Sequence, residues 1–179
     1  MASRSSSPTK YHDFNTETEF QRNLSWYTQR FVIFPEQLMS LSLTISLDWK
    51  RLQFNAANKK KVSQKRGVYA FVIQHDDSNL PQHGYITYIG ITGFDSSDRN
   101  LQKRYQEYLR DQERPKRPPI HTMLNKWKEC LYFHFAEVED ETVDLKDMEK
   151  KLSGAVIPPY STNDFEADIR QAKGIWEKS

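Results

Sequence analysis

Two charged residues in this chain sit where an apolar side chain is expected. Leu101, Tyr105, Tyr108 and Leu109 recur at the spacing of one helical face, and Arg104 falls inside that stripe. Leu145, Met148, Leu152 and Val156 make a second stripe, with Glu149 inside it. An unpaired charge is costly to bury, so such residues pair, bind an ion or line a cleft. A guanidinium and a carboxylate at one place could clamp a phosphate and hold a cation. A structural salt bridge between the two helices satisfies the same pattern, and at this level both readings stand. Tyr69 and Tyr88 lie mid-strand in apolar runs, where a tyrosine serves packing as readily as chemistry. Gly90, inside a strand-like run, marks a close approach to the backbone, by a phosphate for instance.

These residues need a scaffold to bring them together. The run 67–73 (GVYAFVI) is β-prone and almost continuously apolar, as a strand covered on both faces should be. A polar loop, 74–84, separates it from a second strand at 85–91 (YITYIGI), and the two form an antiparallel hairpin. A turn at 93–100 leads into a helix over 101–111, which ends before Pro115, Pro118 and Pro119. A short helix at 121–128, a strand at 131–138, a helix at 144–155 opened by Asp144 and a final helix at 165–176 follow. Upstream, residues 1–9 read as a disordered lead-in and 10–66 as a helical extension. That extension contains a helix with Phe20, Leu24, Tyr27 and Phe31 on one face, a short helix at 36–43, and a helix after Ser46 carrying Leu47, Trp49, Leu52 and Phe54. The remainder, 67–179, is the core.

Composition bounds the function classes. A chain of 179 residues suits one domain, and 13% aromatic residues offset a modest apolar content of 37%. No run approaches the roughly 18 apolar residues of a membrane span, and the Ser-rich start lacks an apolar signal segment, so the expectation is a soluble, cytoplasmic protein without a membrane partner. The lone Cys130 excludes an internal disulfide framework and a multi-Cys zinc site. A formal net charge of +2 looks at first like evidence against a polyanion partner.

The unusual residues fall in a recognisable order: Gly67-Val68-Tyr69, Tyr88-Ile89-Gly90, Arg104, Glu149 and Asn163. Over about residues 67–165 this resembles the GIY-YIG nuclease family. The first triplet departs only by Val68 for Ile. The resemblance implies an α+β fold, a small three-stranded antiparallel sheet flanked by helices, to which 10–66 adds its helical extension. It also implies a DNA endonuclease cleaving phosphodiester bonds with a single Mg²⁺ (or Mn²⁺). In that scheme Glu149 is the carboxylate on the metal, Arg104 clamps the scissile phosphate, and Tyr69 orients or deprotonates the attacking water. Tyr88 bonds the phosphate or the water, and Asn163 supports Tyr69. Many members carry a His one turn after the Arg; here that position is Tyr108. Some have a Lys soon after the first Tyr, where this chain has Val72, Ile73 and Gln74. An unperturbed tyrosine, with a pKa of about 10, is a poor base at neutral pH and needs assistance. His75, His121 and Lys65 are candidates for that role by sequence proximity alone.

Basic residues cluster around these motifs. Lys59, Lys60, Lys61, Lys65 and Arg66 lead into the first strand, and Lys103, Arg110 and Arg117 follow the second, while Glu137 to Asp147 make the approach to Glu149 acidic. Beside a nuclease core such basic segments are expected to contact DNA phosphates, which gives salt-sensitive affinity without sequence readout. The net charge is then a near-cancellation of segments rather than a neutral surface. The competing reading is a catalytically inactive nucleic-acid-binding or regulatory protein on the same scaffold. The intact set of Tyr69, Tyr88, Arg104, Glu149 and Asn163 favours the enzyme.

Overall fold

The computed structural model describes residues 17–76, 79–95 and 98–161. Its sheet has four antiparallel strands in the order β1-β4-β2-β3, where β1 is Lys50–Gln53, β2 Gly67–Gln74, β3 Gly84–Thr92 and β4 Leu131–Glu137. The helices are α1 Glu17–Tyr27, α2 Pro35–Met39, α3 Leu101–Glu113, α4 Pro118–Lys126 and α5 Leu145–Val156, with a 3-10 turn at Ala56–Lys61. The α+β class with helices flanking an antiparallel sheet therefore holds, but the expected three strands are four. The extra strand, β1, lies where a helix through Leu47, Trp49, Leu52 and Phe54 was expected. KRLQ has little strand propensity of its own; it becomes a strand because it pairs with 132–135 of β4, a contact remote in sequence. The final helix expected at 165–176 lies outside the described residues.

Strand β2 is covered on both faces, as its continuous apolar run requires. Its side chains alternate, so Tyr69 and Phe71 join Phe133, Tyr105, Tyr108, Met123 and Leu124 beneath α3 and α4. Val68, Ala70 and Val72 join Ile89, Ile91, Leu145, Met148 and Leu152 beneath α5. The two stripes read from sequence are thus the inward faces of α3 and α5, on opposite faces of one sheet. In α1, by contrast, Leu24 and Tyr27 are exposed; Tyr27 meets Trp127, and Phe31 meets Tyr85 on β3.

Three local features fix the elements relative to one another. The first N–H groups of α3 have no partner within the helix; Leu101 and Gln102 donate theirs to the carbonyls of Lys65 and Ser63, which docks α3 on the segment entering β2. Asn100 and Asp144 cap α3 and α5 through their side chains. At the end of α5, Ile157 adopts a left-handed conformation (φ 43°), a strained choice for a β-branched residue. It turns the chain onto the open edge of β3, where the Tyr160 N–H bonds to Thr87 O and the Ser161 hydroxyl accepts from the Ile89 N–H.

Candidate active site

Tyr69 is the centre of the arrangement. Its ring is buried, stacked on Phe133 (centroids 5.3 Å) and on Tyr88 (6.3 Å), and it meets Tyr108 edge-on at 5.8 Å. Directly opposite in the β2–β3 ladder stands Gly90. A Cβ there would lie 2.3 Å from the Tyr69 Oη and 2.5 Å from its Cζ. The close approach expected at this glycine is therefore made by the tyrosine of the other triplet, whose ring lies across the Gly90 backbone. Gly67 has a separate reason: a Cβ there would sit 2.1 Å from the carbonyl oxygen of Ala136 on β4.

Tyr88 reaches the same face through an irregularity. Tyr88 pairs with Phe71, but Ile86 pairs with Val72, so Thr87 is an extra residue in β3. Without it, residues 86 and 88 would share a face. The bulge sends Ile86 toward α5 and Tyr88 toward Tyr69 and Tyr108. Thr87 is held by donating its hydroxyl to Phe71 O at 3.0 Å.

Arg104 comes from α3 and lies over this cluster. Its Nε donates to the Tyr69 hydroxyl at 2.9 Å, Nη2 to the Tyr108 hydroxyl at 3.2 Å and Nη1 to Glu107 at 2.5 Å. Its ion pair is with Glu107, one turn along the same helix, and not with Glu149. The inter-helix salt bridge that sequence left open is not formed. Five N–H groups less three engaged leaves one on each Nη. Tyr108, one turn after Arg104, bonds Tyr69 directly, hydroxyl to hydroxyl at 3.0 Å. None of the candidates chosen by proximity does so. His121 bonds the Asp111 carbonyl, Lys65 pairs with glutamates and His75 packs against His83.

Electrostatics define what these hydroxyls can do. Burial pushes the Tyr69 hydroxyl well above the ordinary tyrosine range, and Tyr88 adds to the rise, against the opposing pull of Arg104. Burial likewise raises Tyr88, with further contributions from Tyr108 and from the Glu149 carboxylate, and raises Tyr108. Burial alone would weaken the charged form of Arg104, but Tyr69, Tyr108 and Glu107 outweigh it and hold the guanidinium charged. The centre is thus a permanent cation over three neutral tyrosines. Tyr69 is a neutral hydroxyl, not a tyrosinate.

Glu149 is partly buried on α5 and close enough to Tyr88 to act on it electrostatically. Although α3 and α5 cover opposite faces of the sheet, Arg104 and Glu149 thus both act on Tyr88, a residue of the edge strand β3. No group of three or more His, Cys, Asp or Glu among the described residues is placed to hold a metal ion. A single carboxylate such as Glu149 could serve an ion that keeps several waters and binds substrate phosphate, as Mg²⁺ does. Asn163 lies outside the described residues; Ser161, two positions before it, is bonded at Ile89, beside Tyr88.

The basic residues do not form one surface. Lys65 pairs with Glu137 (3.2 Å) and Glu139 (2.5 Å), while Arg66 donates to the carbonyls of Asp140 and Val143. The basic and acidic runs read from sequence are therefore bonded to each other, securing the loop that enters α5. Arg110 is separated from Arg104 by about 120° around α3 and points away from the tyrosine cluster's side. It shares a groove of about 540 Å³ with Lys59, Lys128, Glu113 and Glu129. Lys60 and Lys61 are exposed on the 3-10 turn, and Lys103 lies 3.9 Å from Asp98. Of the set, Arg117 alone reaches the tyrosine cluster, over the ring of Tyr108.

No helix among the described residues is long and apolar enough to cross a membrane. Comparison of the chain with protein-family models, with curated proteins and with solved structures finds no match.

Proposed function

We propose that this chain is a metal-dependent DNA endonuclease that hydrolyses phosphodiester bonds at the Tyr69, Tyr88, Arg104, Tyr108 and Glu149 cluster, in the manner of the GIY-YIG nucleases it resembles. The observation that carries the reading is the Arg104 guanidinium. It is bonded to the hydroxyls of Tyr69 and Tyr108 and lies over the Tyr108 ring, with one N–H on each Nη uncommitted, near a strand edge that also feels Glu149. A structural arginine would be expected to turn its fork to a carboxylate on the facing helix; this one keeps two donors for an anion.

The residues divide the work as follows. Arg104 takes the scissile phosphate with its two remaining Nη donors and stabilises charge that builds up there in the transition state. Tyr69 receives the Arg104 Nε–H on one lone pair and shares a hydrogen bond with the Tyr108 hydroxyl in which either oxygen can donate; when Tyr69 donates, its second lone pair is left to accept from the attacking water. The rise of its pKa makes Tyr69 an orienting group rather than the final proton acceptor. The Tyr88 hydroxyl, hydrogen-bonded to that of Tyr108, would bond the phosphate or the water, and Glu149 would hold the metal ion. When bound, Mg²⁺ or Mn²⁺ neutralises phosphate charge and lowers the pKa of a coordinated water.

The test is cleavage of supercoiled, linear and branched DNA by wild type and Glu149→Ala, with Mg²⁺ or with EDTA. Wild type is expected to cleave at least one substrate in Mg²⁺ only, and Glu149→Ala none. Binding without cleavage on every substrate would leave a nucleic-acid-binding protein; cleavage surviving Glu149→Ala would place the chemistry elsewhere.

A further inference from the structure

Tyr108 carries two guanidinium groups against its ring, and the chemistry above uses only one. The Arg104 Cζ lies 4.8 Å from the ring centroid and the Arg117 Cζ 4.9 Å. Two cations at one ring repel, and Arg104 does disfavour the charged form of Arg117. Each cation is offset by its own carboxylate: Glu107 for Arg104, and Asp111 for Arg117. Asp111 is buried and accepts from Arg117 Nε at 3.1 Å and from Nη2. Nη1 of Arg117 has no hydrogen-bond partner among the described residues, and the side chain keeps 36% of its exposure.

The backbone fixes this placement. Arg117 precedes Pro118, which bars it from the helical region; it is extended (φ −124°, ψ 92°) and serves as the N-cap residue of α4. A tether between α3 and α4 would need the Asp111 contact only. It would not need a second cation on the ring already shared with Arg104, nor a guanidinium end left open to solvent. Two charges within 4.9 Å of one ring centre can reach phosphates of a single short stretch of strand.

We propose that Arg117 is a second phosphate-binding residue of the site, taking the DNA phosphate next to the one Arg104 holds, with Asp111 keeping it aligned. The inference rests on the nuclease reading and deepens it: the substrate is gripped at two adjacent phosphates by paired guanidinium groups. Sequence could flag Arg117 only as one of many basic residues, because its partner ring lies nine positions away across Pro115.

The experiment measures the affinity of two unrelated DNA duplexes across a salt series in EDTA, for wild type, Arg117→Gln and Arg117→Lys. Each phosphate contact contributes about 0.9 to the slope of log affinity against log salt. Arg117→Gln is expected to make the slope shallower by about that amount and to weaken both duplexes equally, whereas Arg117→Lys retains the slope. Because Arg117→Gln leaves Asp111 buried without its cation, the double variant Asp111→Asn/Arg117→Gln is measured alongside, with the same expected slope. A wild-type slope in Arg117→Gln and in the double variant overturns the proposal even if their Tm falls, since that is what a tether alone predicts. Absence of salt-dependent binding by wild type would instead overturn the nuclease reading itself, and this inference with it.

Discussion

Tyr69→Phe is expected to lower single-turnover DNA cleavage by about 10²–10⁴-fold, the range over which positioned proton-handling groups act, with DNA affinity changed by a few-fold at most. The substitution removes one atom. Phe preserves the stacking on Phe133 and Tyr88 and the fit over Gly90, so the sheet face beneath α3 stays packed. What is lost is the oxygen to which Arg104 Nε and the Tyr108 hydroxyl are bonded. Leaving such buried groups without a partner costs about 1–3 kcal/mol, or roughly 2–4 °C of Tm per kcal/mol for a chain of this size. A modest fall in Tm with a large fall in kcat separates a catalytic hydroxyl from a packing ring. Cleavage within three-fold of wild type would remove Tyr69 from the mechanism.

Gly90→Ala is expected to disable the protein by a different route, through packing. The new methyl would lie 2.3 Å from Tyr69 Oη and 2.5 Å from Cζ, well inside contact distance. The ring has little room to move aside, because Phe133 and Tyr88 stack against it and Tyr108 stands at its edge. Overpacking of this kind costs about 1–3 kcal/mol when the core can adjust. Either the strands separate locally or Tyr69 is displaced and its bonds to Arg104 and Tyr108 are broken. The expected result is a Tm several degrees lower together with cleavage at least as impaired as in Tyr69→Phe. Thermal melting and single-turnover cleavage of the same preparation check it. A wild-type Tm with full cleavage would mean that Tyr69 does not lie across Gly90.

These two positions also show how much of the site was legible beforehand. Arg104 and Glu149 were visible because a charge in an apolar helical stripe breaks a periodicity that the rest of the stripe establishes. Gly90 was visible as a glycine inside a strand, but what approaches it was not, since that depends on the β2–β3 register that places Tyr69 opposite. The orientation of Tyr88 was hidden by the Thr87 bulge: simple alternation through YITYIGI puts Ile86 and Tyr88 on one face, and an inserted residue leaves no mark in composition. Strand β1 was misread because KRLQ owes its conformation to β4, not to its own propensity. Prolines 118 and 119 read as breakers in the sequence, yet they open α4, where their missing N–H groups are unneeded. Charge runs were least legible of all. Lys65 and Arg66 looked like phosphate ligands, and only the fold brings 137–143 close enough to engage them.

The central claim is that Arg104 and Glu149, delivered from opposite faces of the sheet, act on one phosphodiester as a unit. The most direct measurement is single-turnover cleavage in Mg²⁺, at saturating protein, by wild type, Arg104→Lys, Glu149→Gln and the double variant. Groups that act together are strongly non-additive. The account predicts that each single variant loses at least about 10²-fold, as removal of one transition-state donor does, and that the double variant is little worse than the poorer single. Independent losses that multiply in the double variant, or cleavage that persists in it, would contradict a shared site.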